Sequence, residues 1–250
     1  MSRRFVRRRT RDGRVRIDVS ALAIASPAGT GHAAGERIRP SLLRYDYLTL
    51  DALAADVARL LGEIPSSPLR RVALDLGSSS SPYRELLEEQ GFSVATLDVA
   101  PGADYVGTAE RTGLPDASFD LVLCTQVLEH CGDPWRAFDE MKRILKPGGQ
   151  LLVSAPHVWF FHPHPQDHWR FTQQGLVHLC ESAGFSVRGL LAQGGSVLAA
   201  AQVANFLLYG VLGRLGAPIY AIVNLVGRLL DRVLRNDRFC VNFACLAQRR

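Results

Sequence analysis

Val72-Ala-Leu-Asp-Leu-Gly77 is an apolar run of strand length that stops at a glycine. Similar short runs recur at 92–97, 120–124 and 150–154, and stretches with a helical pattern lie between them. Strands that alternate with helices in this way usually pair in parallel, with helices covering both faces of the sheet. The pattern therefore predicts an α/β fold with a doubly wound, mostly parallel sheet.

The helices and the remaining strands are predicted from apolar spacing and from residues that start or stop an element. Ser81 is predicted to be an N-cap and Pro82 suits a first helical turn, so one helix should run to Glu89. Apolar spacing together with glycine and proline breaks places the other helices at 50–61, 134–145 and 173–184, and the last two strands at 185–191 and 239–248.

The positive charge of the chain is concentrated at its start. The 250-residue chain carries +5, but residues 1–16 contain eight arginines and a single acid, Asp12, so the other 234 residues carry a net −2. We predict a basic, poorly ordered leader over 1–40 and one folded domain over 41–250. Because the charge is confined to the leader, a specific nucleic-acid surface is not expected.

The compartment is inferred from the first residues and from the cysteines. Ser2-Arg3-Arg4-Phe5 resembles the start of a twin-arginine export signal, but further arginines interrupt the region that should be apolar, so export is rejected. The five cysteines are odd in number and none forms a Cys-x-x-Cys pair. This usage is typical of a reducing compartment, in which thiols pack as small core residues. We predict a cytoplasmic protein.

Five motifs in order point to a family. They are Val72–Gly77, Asp98 at the end of the second strand, Leu114-Pro-Asp-Ala-Ser-Phe-Asp120, Val127-Leu-Glu-His130 and Arg143-Ile-Leu-Lys-Pro-Gly-Gly149. Over residues 70–190 the series resembles class I S-adenosylmethionine-dependent methyltransferases of the type 11-like group. The resemblance implies a Rossmann-like, seven-stranded sheet and S-adenosylmethionine as the cofactor.

The resemblance also implies where the cofactor binds. Backbone N–H groups after the first strand would meet the methionine carboxylate, and Asp98 would accept hydrogen bonds from the ribose hydroxyls. Residues 108–110 would lie near the adenine, and residues 124–126 near the methionine moiety. The predicted cofactor-binding residues are Asp75, Gly77, Ser78, Ser79, Asp98, Val99, Thr108, Ala109, Glu110, Cys124 and Gln126.

The glycine loop departs from the family pattern. The family usually has Gly-x-Gly-x-Gly, whereas this chain has Gly77-Ser-Ser-Ser-Ser81, with Ser79 and Ser81 in place of the second and third glycines. A dinucleotide needs close approach of the backbone to a bulky pyrophosphate, for which glycine matters. S-adenosylmethionine has no phosphate, so the serines favour the methyl donor over NAD.

A histidine-rich stretch, His157–Thr172, begins where the strand at 150–155 ends on the cofactor side of the sheet. Its predicted role is to form the wall of the acceptor pocket, and a general-base role for His130, Asp167 or His168 is the alternative. A metal site of His162, His164, His168 and Asp167 is also considered, but no metal is predicted. The predicted catalytic residues are His130, Asp167 and His168, and the predicted substrate-binding residues are His157, Trp159, His162, His164, Trp169 and Arg170.

An apolar insertion at 196–236 precedes the last strand. No charged side chain occurs from Gly189 to Gly213, and a following helix carries a narrow polar stripe that includes Asn224 and Asp231. A helical hairpin that docks on an anionic membrane surface is predicted, at the inner face of the membrane. A lid over the active site and a homodimer contact are the alternatives that bury the same apolar face.

The predicted function is methyl transfer from S-adenosylmethionine to an oxygen or nitrogen of a glycan or lipid-linked acceptor near the membrane. Alignment of the acceptor with a reactive sulfonium provides much of the rate, and a hydroxyl or amine acceptor also needs a base. The alternatives are methylation of a quinone or another small lipophilic acceptor, and a non-catalytic scaffold that retains the fold.

Overall fold

A computed structural model describes residues 7–9, 15–17, 34–77, 80–163 and 165–250. Ser78, Ser79 and His164 lie outside the described residues, as does most of the predicted leader. Within the leader, the short strands β1 (Arg7–Arg9) and β2 (Val15–Ile17) pair antiparallel, and helix α1 (Ala34–Ile38) packs against α2 (Tyr47–Gly62). The division of the chain at residue 40 stays a prediction.

The domain is built on a seven-stranded sheet, as predicted. Its order is β5-β4-β3-β6-β7-β9-β8, and all pairs are parallel except the two that β9 makes with β7 and β8. The strands are β3 (Arg71–Leu76), β4 (Phe92–Asp98), β5 (Tyr105–Val106), β6 (Phe119–Thr125), β7 (Leu145–Pro156), β8 (Phe185–Gln193) and β9 (Asn242–Arg249).

Helices cover both faces of the sheet because alternate strand residues point to opposite sides. On one face Leu74, Val122 and Val153 pack against helices α4 (Pro134–Ile144) and α5 (Gln173–Ser182). On the other face Ala73 and Leu121 belong to a second core cluster with residues of α2 and α3 (Arg84–Glu89). The five cysteines are free and buried, which confirms the prediction that they act as core residues.

The register of the strands brings the site together. Leu76 pairs with Leu97 on one side and with Cys124 on the other, so β3, β4 and β6 end at one level of the sheet. The residues that follow these strands therefore leave from the same edge, where ligands of open parallel sheets bind.

The start of α3 corrects one expectation. Ser81 is not the N-cap, since the helix begins at Arg84 and Tyr83 holds the capping position. Ser81 instead has a φ of 48°, in the left-handed region that favours glycine, and its hydroxyl donates to the buried Asp75 at 2.9 Å. The hydrogen bond offsets part of the backbone strain at this residue, which is not a glycine.

The insertion is a hairpin of α6 (Ser196–Leu212) and α7 (Ala217–Val233). Among the described residues, Ser196–Val233 is long and apolar enough to cross a membrane by length and composition. Gln202, Asn205, Asn224 and Asp231 of the hairpin are buried: Asn224 donates to the carbonyls of Leu42 and Arg44, and its own side-chain oxygen accepts from Asn205. The apolar side of the hairpin is the exposed side.

Asp231 of α7 holds the first turn of α6. Its carboxylate accepts from the backbone N–H groups of Gly195 at 2.9 Å and Leu198 at 3.1 Å. We expect Asp231→Ala to lower the free energy of unfolding by about 2 kcal/mol, since a lost cap leaves these N–H groups unpaired. Urea denaturation measures the change, and Asp237→Ala, at an exposed site, should stay within about 0.5 kcal/mol of wild type. Equal stability of the two variants would contradict the capping role.

Candidate active site

A cavity of about 560 Å³ opens at the carboxyl ends of β3, β4 and β6. Pockets of this size hold molecules with the bulk of a nucleoside derivative. The described residues that line it come from five strand ends and the loops that follow them, and from α1: Arg37, Leu76, Gly77, Leu97, Asp98, Val99, Gly107, Thr108, Ala109, Glu110, Gln126, Val127, His130, Cys131, Gly132, Pro165 and Gln166.

Seven of the predicted cofactor-binding residues line this cavity, and two do not. Gly77, Asp98, Val99, Thr108, Ala109, Glu110 and Gln126 contribute to its wall. Asp75 and Cys124 are buried in the strands behind it, and burial raises the pKa of Asp75 to about 6. Asp75 therefore supports the turn after β3 through its hydrogen bond with Ser81.

Gly77 is required by the geometry of the turn. Its φ of 72° lies in the left-handed region, and a Cβ at this position would come within 2.3 Å of Cγ2 of Val127. Its N–H donates to the carbonyl of Leu97 at 2.7 Å. A side chain at this position would therefore collide with Val127 in the loop that follows β6.

Three polar residues of the cavity wall are held in place by hydrogen bonds. Asp98 ends β4, and one of its oxygens accepts from the N–H of Ala100 at 2.9 Å. Glu110 accepts from the N–H of Gly132 at 2.9 Å and so links the loop before β6 to the turn after it. Gln126 has a φ of 55° and donates to the hydroxyl of Ser154 on the neighbouring strand at 3.1 Å.

An ion pair organises the histidine-rich loop. Arg170 donates to both carboxylate oxygens of Asp167, at 2.5 and 2.7 Å, and to the carbonyl of Phe160 at 2.7 Å. Asp167 also accepts from the N–H of His162 at 2.9 Å. Burial acts to raise the pKa of Asp167, but the hydrogen bonds from Arg170 and His162 outweigh it, so this pKa is lowered.

The loop is bonded to the 3-10 turn Leu128–His130 that follows β6. The carbonyl of Glu129 accepts from the N–H of His168 at 2.8 Å, and Nδ1 of His130 is hydrogen-bonded to the carbonyl of Gln166. The indole of Trp169 donates to the carbonyl of Cys131 at 2.8 Å. These contacts place Gln166 in the cavity wall opposite the strand ends.

The two residues of the Glu-His pair have perturbed acidities. Burial raises the pKa of Glu129 to about 8 and lowers that of His130 below its usual value. Oε1 of Glu129 lies 3.9 Å from Nε2 of His130. The imidazole of His130 is thus mainly neutral at pH 7, with one nitrogen facing a buried carboxyl group.

Of the predicted catalytic residues, His130 lines the cavity, whereas Asp167 and His168 lie outside its wall. His168 is exposed, and its Nε2 is hydrogen-bonded to the side-chain oxygen of Gln166 at 2.7 Å. The engaged oxygens of Asp167 and its lowered pKa argue against proton transfer by this carboxylate.

The described members of the predicted substrate-binding set lie in the loop beside the cavity. His157, Trp159, His162, Trp169 and Arg170 are absent from the described wall, to which Pro165 and Gln166 contribute instead. Trp159 packs with Leu48 and Leu198, because the loop is anchored on α6. The wall also contains residues that were not predicted as site residues from the sequence: Arg37, Val127, Cys131 and Gly132. Arg37 lies in no motif that could have predicted its place in the site.

The comparisons with known proteins agree with this geometry. Residues 74–153 match the family model described as a methyltransferase domain. The chain is 34% identical to malonyl-[acyl-carrier protein] O-methyltransferase of Serratia marcescens over 117 residues, which are 42% of this chain and 46% of that protein. It is also 34% identical to demethylmenaquinone methyltransferase of Renibacterium salmoninarum over 119 residues, 43% of this chain and 47% of the relative. The chain thus spans about half the length of the curated relatives that it matches.

A solved structure supports the fold. Phosphoethanolamine N-methyltransferase 2 of Haemonchus contortus, in complex with S-adenosyl-L-methionine, has a TM-score of 0.54 at 13% identity, covering 83% of this chain and 56% of its own. The matched segment contains the end of β3 and all of β4, β5, β6 and α4, and the cavity opens at the carboxyl ends of these strands. The match assigns a methyltransferase domain to residues 74–153, and the fold is similar to that of a methyltransferase solved with S-adenosyl-L-methionine.

Proposed function

We propose that the protein transfers a methyl group from S-adenosylmethionine to an oxygen or nitrogen of a glycan or lipid-linked acceptor near the membrane. The observation that carries the methyl transfer is one continuous cavity, which joins Gly77 and Asp98 at the strand ends to His130 and Gln166 at the loop. Gly77 and Asp98 are suited to binding the cofactor, and His130 and Gln166 are suited to binding the acceptor.

The proposed cofactor contacts follow from the positions of the residues. The backbone at Gly77 can approach a bound carboxylate because no side chain intervenes, and Asp98 offers an acceptor to ribose hydroxyls. Thr108, Ala109 and Glu110 form the wall proposed for the adenine. When it is bound, the cofactor supplies a methyl group on a positively charged sulfur.

His130 is the residue that we propose to promote loss of the acceptor's proton. Its Nδ1 is bonded to a carbonyl, which makes Nδ1 the protonated nitrogen and leaves the lone pair on Nε2. Burial lowers the pKa of His130, so the imidazole can accept a proton at neutral pH. Asp167 and Arg170 are proposed to clamp the loop rather than to react.

The membrane part of the proposal is supported by the α6–α7 hairpin, whose apolar side is exposed. The outward side of α6 and α7 exposes large apolar residues such as Val211 at 83%, Leu215 at 92% and Val233 at 81%. Arg214 and Arg232 are exposed beside them and complement the charge of anionic lipid. The basic residues of the leader add to the same attraction.

Vesicle flotation tests this surface. We expect the full-length protein to float with vesicles that contain phosphatidylglycerol, and Leu215→Glu combined with Val233→Glu to reduce the bound fraction roughly tenfold, because charges resist burial in the lipid interface. Leu69→Glu is the matched control, since Leu69 is 75% exposed outside the hairpin. If the double variant floats like wild type, the membrane proposal is wrong. A dimeric wild type that this variant converts to a monomer would assign the face to a second copy.

The acceptor is tested with labelled donor and a membrane extract. We expect the methyl label in a glycolipid or lipid-linked glycan fraction, and none when Asp98→Ala protein is used. Label in a quinone fraction would instead favour the alternative acceptor, which the name of the demethylmenaquinone relative and the apolar hairpin both support. Absence of S-adenosylmethionine binding by the intact protein would favour the scaffold alternative.

A further inference from the structure

Three side chains converge beside the cavity at the point where the histidine-rich loop meets the turn after β6. Glu129, His130 and His162 each direct one donor atom, a carboxylate oxygen or a ring nitrogen, to within 4.8 Å of the other two. The imidazole rings of the two histidines lie edge to face, with centroids 5.1 Å apart. Two imidazoles and one carboxylate are a donor set that Zn²⁺ and similar divalent ions accept.

The outer nitrogens of both histidines are already engaged. Nδ1 of His130 is bonded to the carbonyl of Gln166. Nδ1 of His162 is bonded to the carbonyl of Phe160 at 3.0 Å and lies 3.3 Å from Oδ2 of Asp167. With Nδ1 of each ring bonded to an acceptor, Nε2 is the nitrogen left to bind a metal ion, as is usual for histidines that bind metal.

The carboxyl group of Glu129 points to the same ligand. Its side chain is only 1% exposed, and Oε2 has no hydrogen-bond partner among the residues that the structure describes. A buried carboxyl oxygen without a partner is costly, and such a group is usually paired with a cation or a metal. Among the described residues, the imidazoles of His130 and His162 approach this carboxyl group, and no side chain or backbone group is hydrogen-bonded to Oε2.

We propose that Glu129, His130 and His162 bind a divalent transition-metal ion of the Zn²⁺ type. Three protein ligands leave at least one coordination position open. His130 also lines the cavity, so this position can face the acceptor side of the pocket. The ion pair of Asp167 and Arg170 supports this site, because Asp167 accepts from the N–H of His162 and so fixes His162 near the turn after β6.

The consequence for catalysis rests on the proposed function. Glu129, His130 and His162 would hold the cation, which would lower the pKa of an acceptor hydroxyl bound beside it. The hydroxyl would lose its proton to solvent as its oxygen bonds to the methyl carbon, and the carbon–sulfur bond would break with its electrons staying on sulfur as a neutral thioether. With the ion bound, His130 would act as its ligand, and without the ion as the proton acceptor proposed above.

The metal content of the full chain tests the proposal. Protein loaded with Zn²⁺ and dialysed is expected to retain about one ion per chain. His162→Ala and Glu129→Gln should each weaken the affinity for Zn²⁺ by 100-fold or more, because each removes one of three ligands. His178→Ala is the matched control, since His178 is exposed on α5, away from the cluster, and it should retain the ion.

Binding of S-adenosylmethionine, measured by calorimetry on the same proteins, separates the possible failures. A variant that loses Zn²⁺ but binds the cofactor like wild type is folded, and this result supports the site. Wild type that binds the cofactor but holds no stoichiometric Zn²⁺ overturns the metal proposal and leaves the methyl-transfer proposal intact. Retention of Zn²⁺ by His162→Ala, which lies on a partly exposed loop and should fold, overturns it as well.

Discussion

Replacement of Asp98 by alanine is expected to weaken the binding of S-adenosylmethionine roughly 100-fold. The carboxylate stands at the end of β4 in the wall of the cavity, where it can accept from two ribose hydroxyls. Each hydrogen bond to a charged group contributes about 1.5 kcal/mol, and a total of about 3 kcal/mol corresponds to that factor. Calorimetric titration of the full chain measures it.

The controls for this prediction use other substitutions of the same kind. Asp139→Ala removes an exposed carboxylate on α4 and should leave the affinity unchanged. Asp98→Asn keeps an acceptor but loses the charge, so its affinity should fall between those of wild type and Asp98→Ala. If Asp98→Ala binds the cofactor like wild type, the proposed position of the ribose is wrong.

Replacement of Asp167 by alanine is expected to lower the free energy of unfolding by about 3 kcal/mol. The side chain of Asp167 is 2% exposed and that of Arg170 is 28% exposed. Loss of one partner leaves the guanidinium and the N–H of His162 partly buried without their acceptor. Because Arg170 is partly exposed, the expected decrease in the free energy of unfolding is at the lower end of the range for broken buried ion pairs.

Urea denaturation of Asp167→Ala, Arg170→Ala and the double variant forms a thermodynamic cycle. We expect a coupling energy of about 1–3 kcal/mol, since the two side chains share two hydrogen bonds. Glu181→Ala, at an exposed position on α5, is the control for removal of an acid. A variant Asp167→Ala that is as stable as wild type but unable to transfer methyl groups would instead make Asp167 a catalytic base.

The core of the fold could be predicted from local patterns. The apolar runs that became β3, β4, β6 and β7 need no distant contact to be recognised, because strand and helix periods are visible over a few residues. Gly77 and Asp98 could be predicted with them, since both stand where a strand ends. The predicted start of α3 was wrong because the hydroxyl of Ser81 donates a hydrogen bond to Asp75 on the preceding strand and does not cap its own helix.

The histidine-rich loop shows where local reasoning stops. Its sequence indicated a pocket wall but not which side chains face the cavity. The orientation depends on contacts between residues that are far apart in the chain, such as the N–H of His168 with the carbonyl of Glu129 and the indole of Trp169 with the carbonyl of Cys131. These turn Gln166 toward the cavity and bring His162 to the Glu-His pair.

The α6–α7 hairpin shows most clearly which features are visible in the sequence and which depend on tertiary contacts. The composition of 196–236 and the spacing of Asn224 and Asp231 were enough to predict an apolar helical pair with one polar stripe. Only the tertiary structure placed Asn224 and Asp231 inside, because their partners are the carbonyls of Leu42 and Arg44 and the first turn of α6. Amphipathic spacing identifies two faces of a helix, but the groups packed against them determine which face meets solvent.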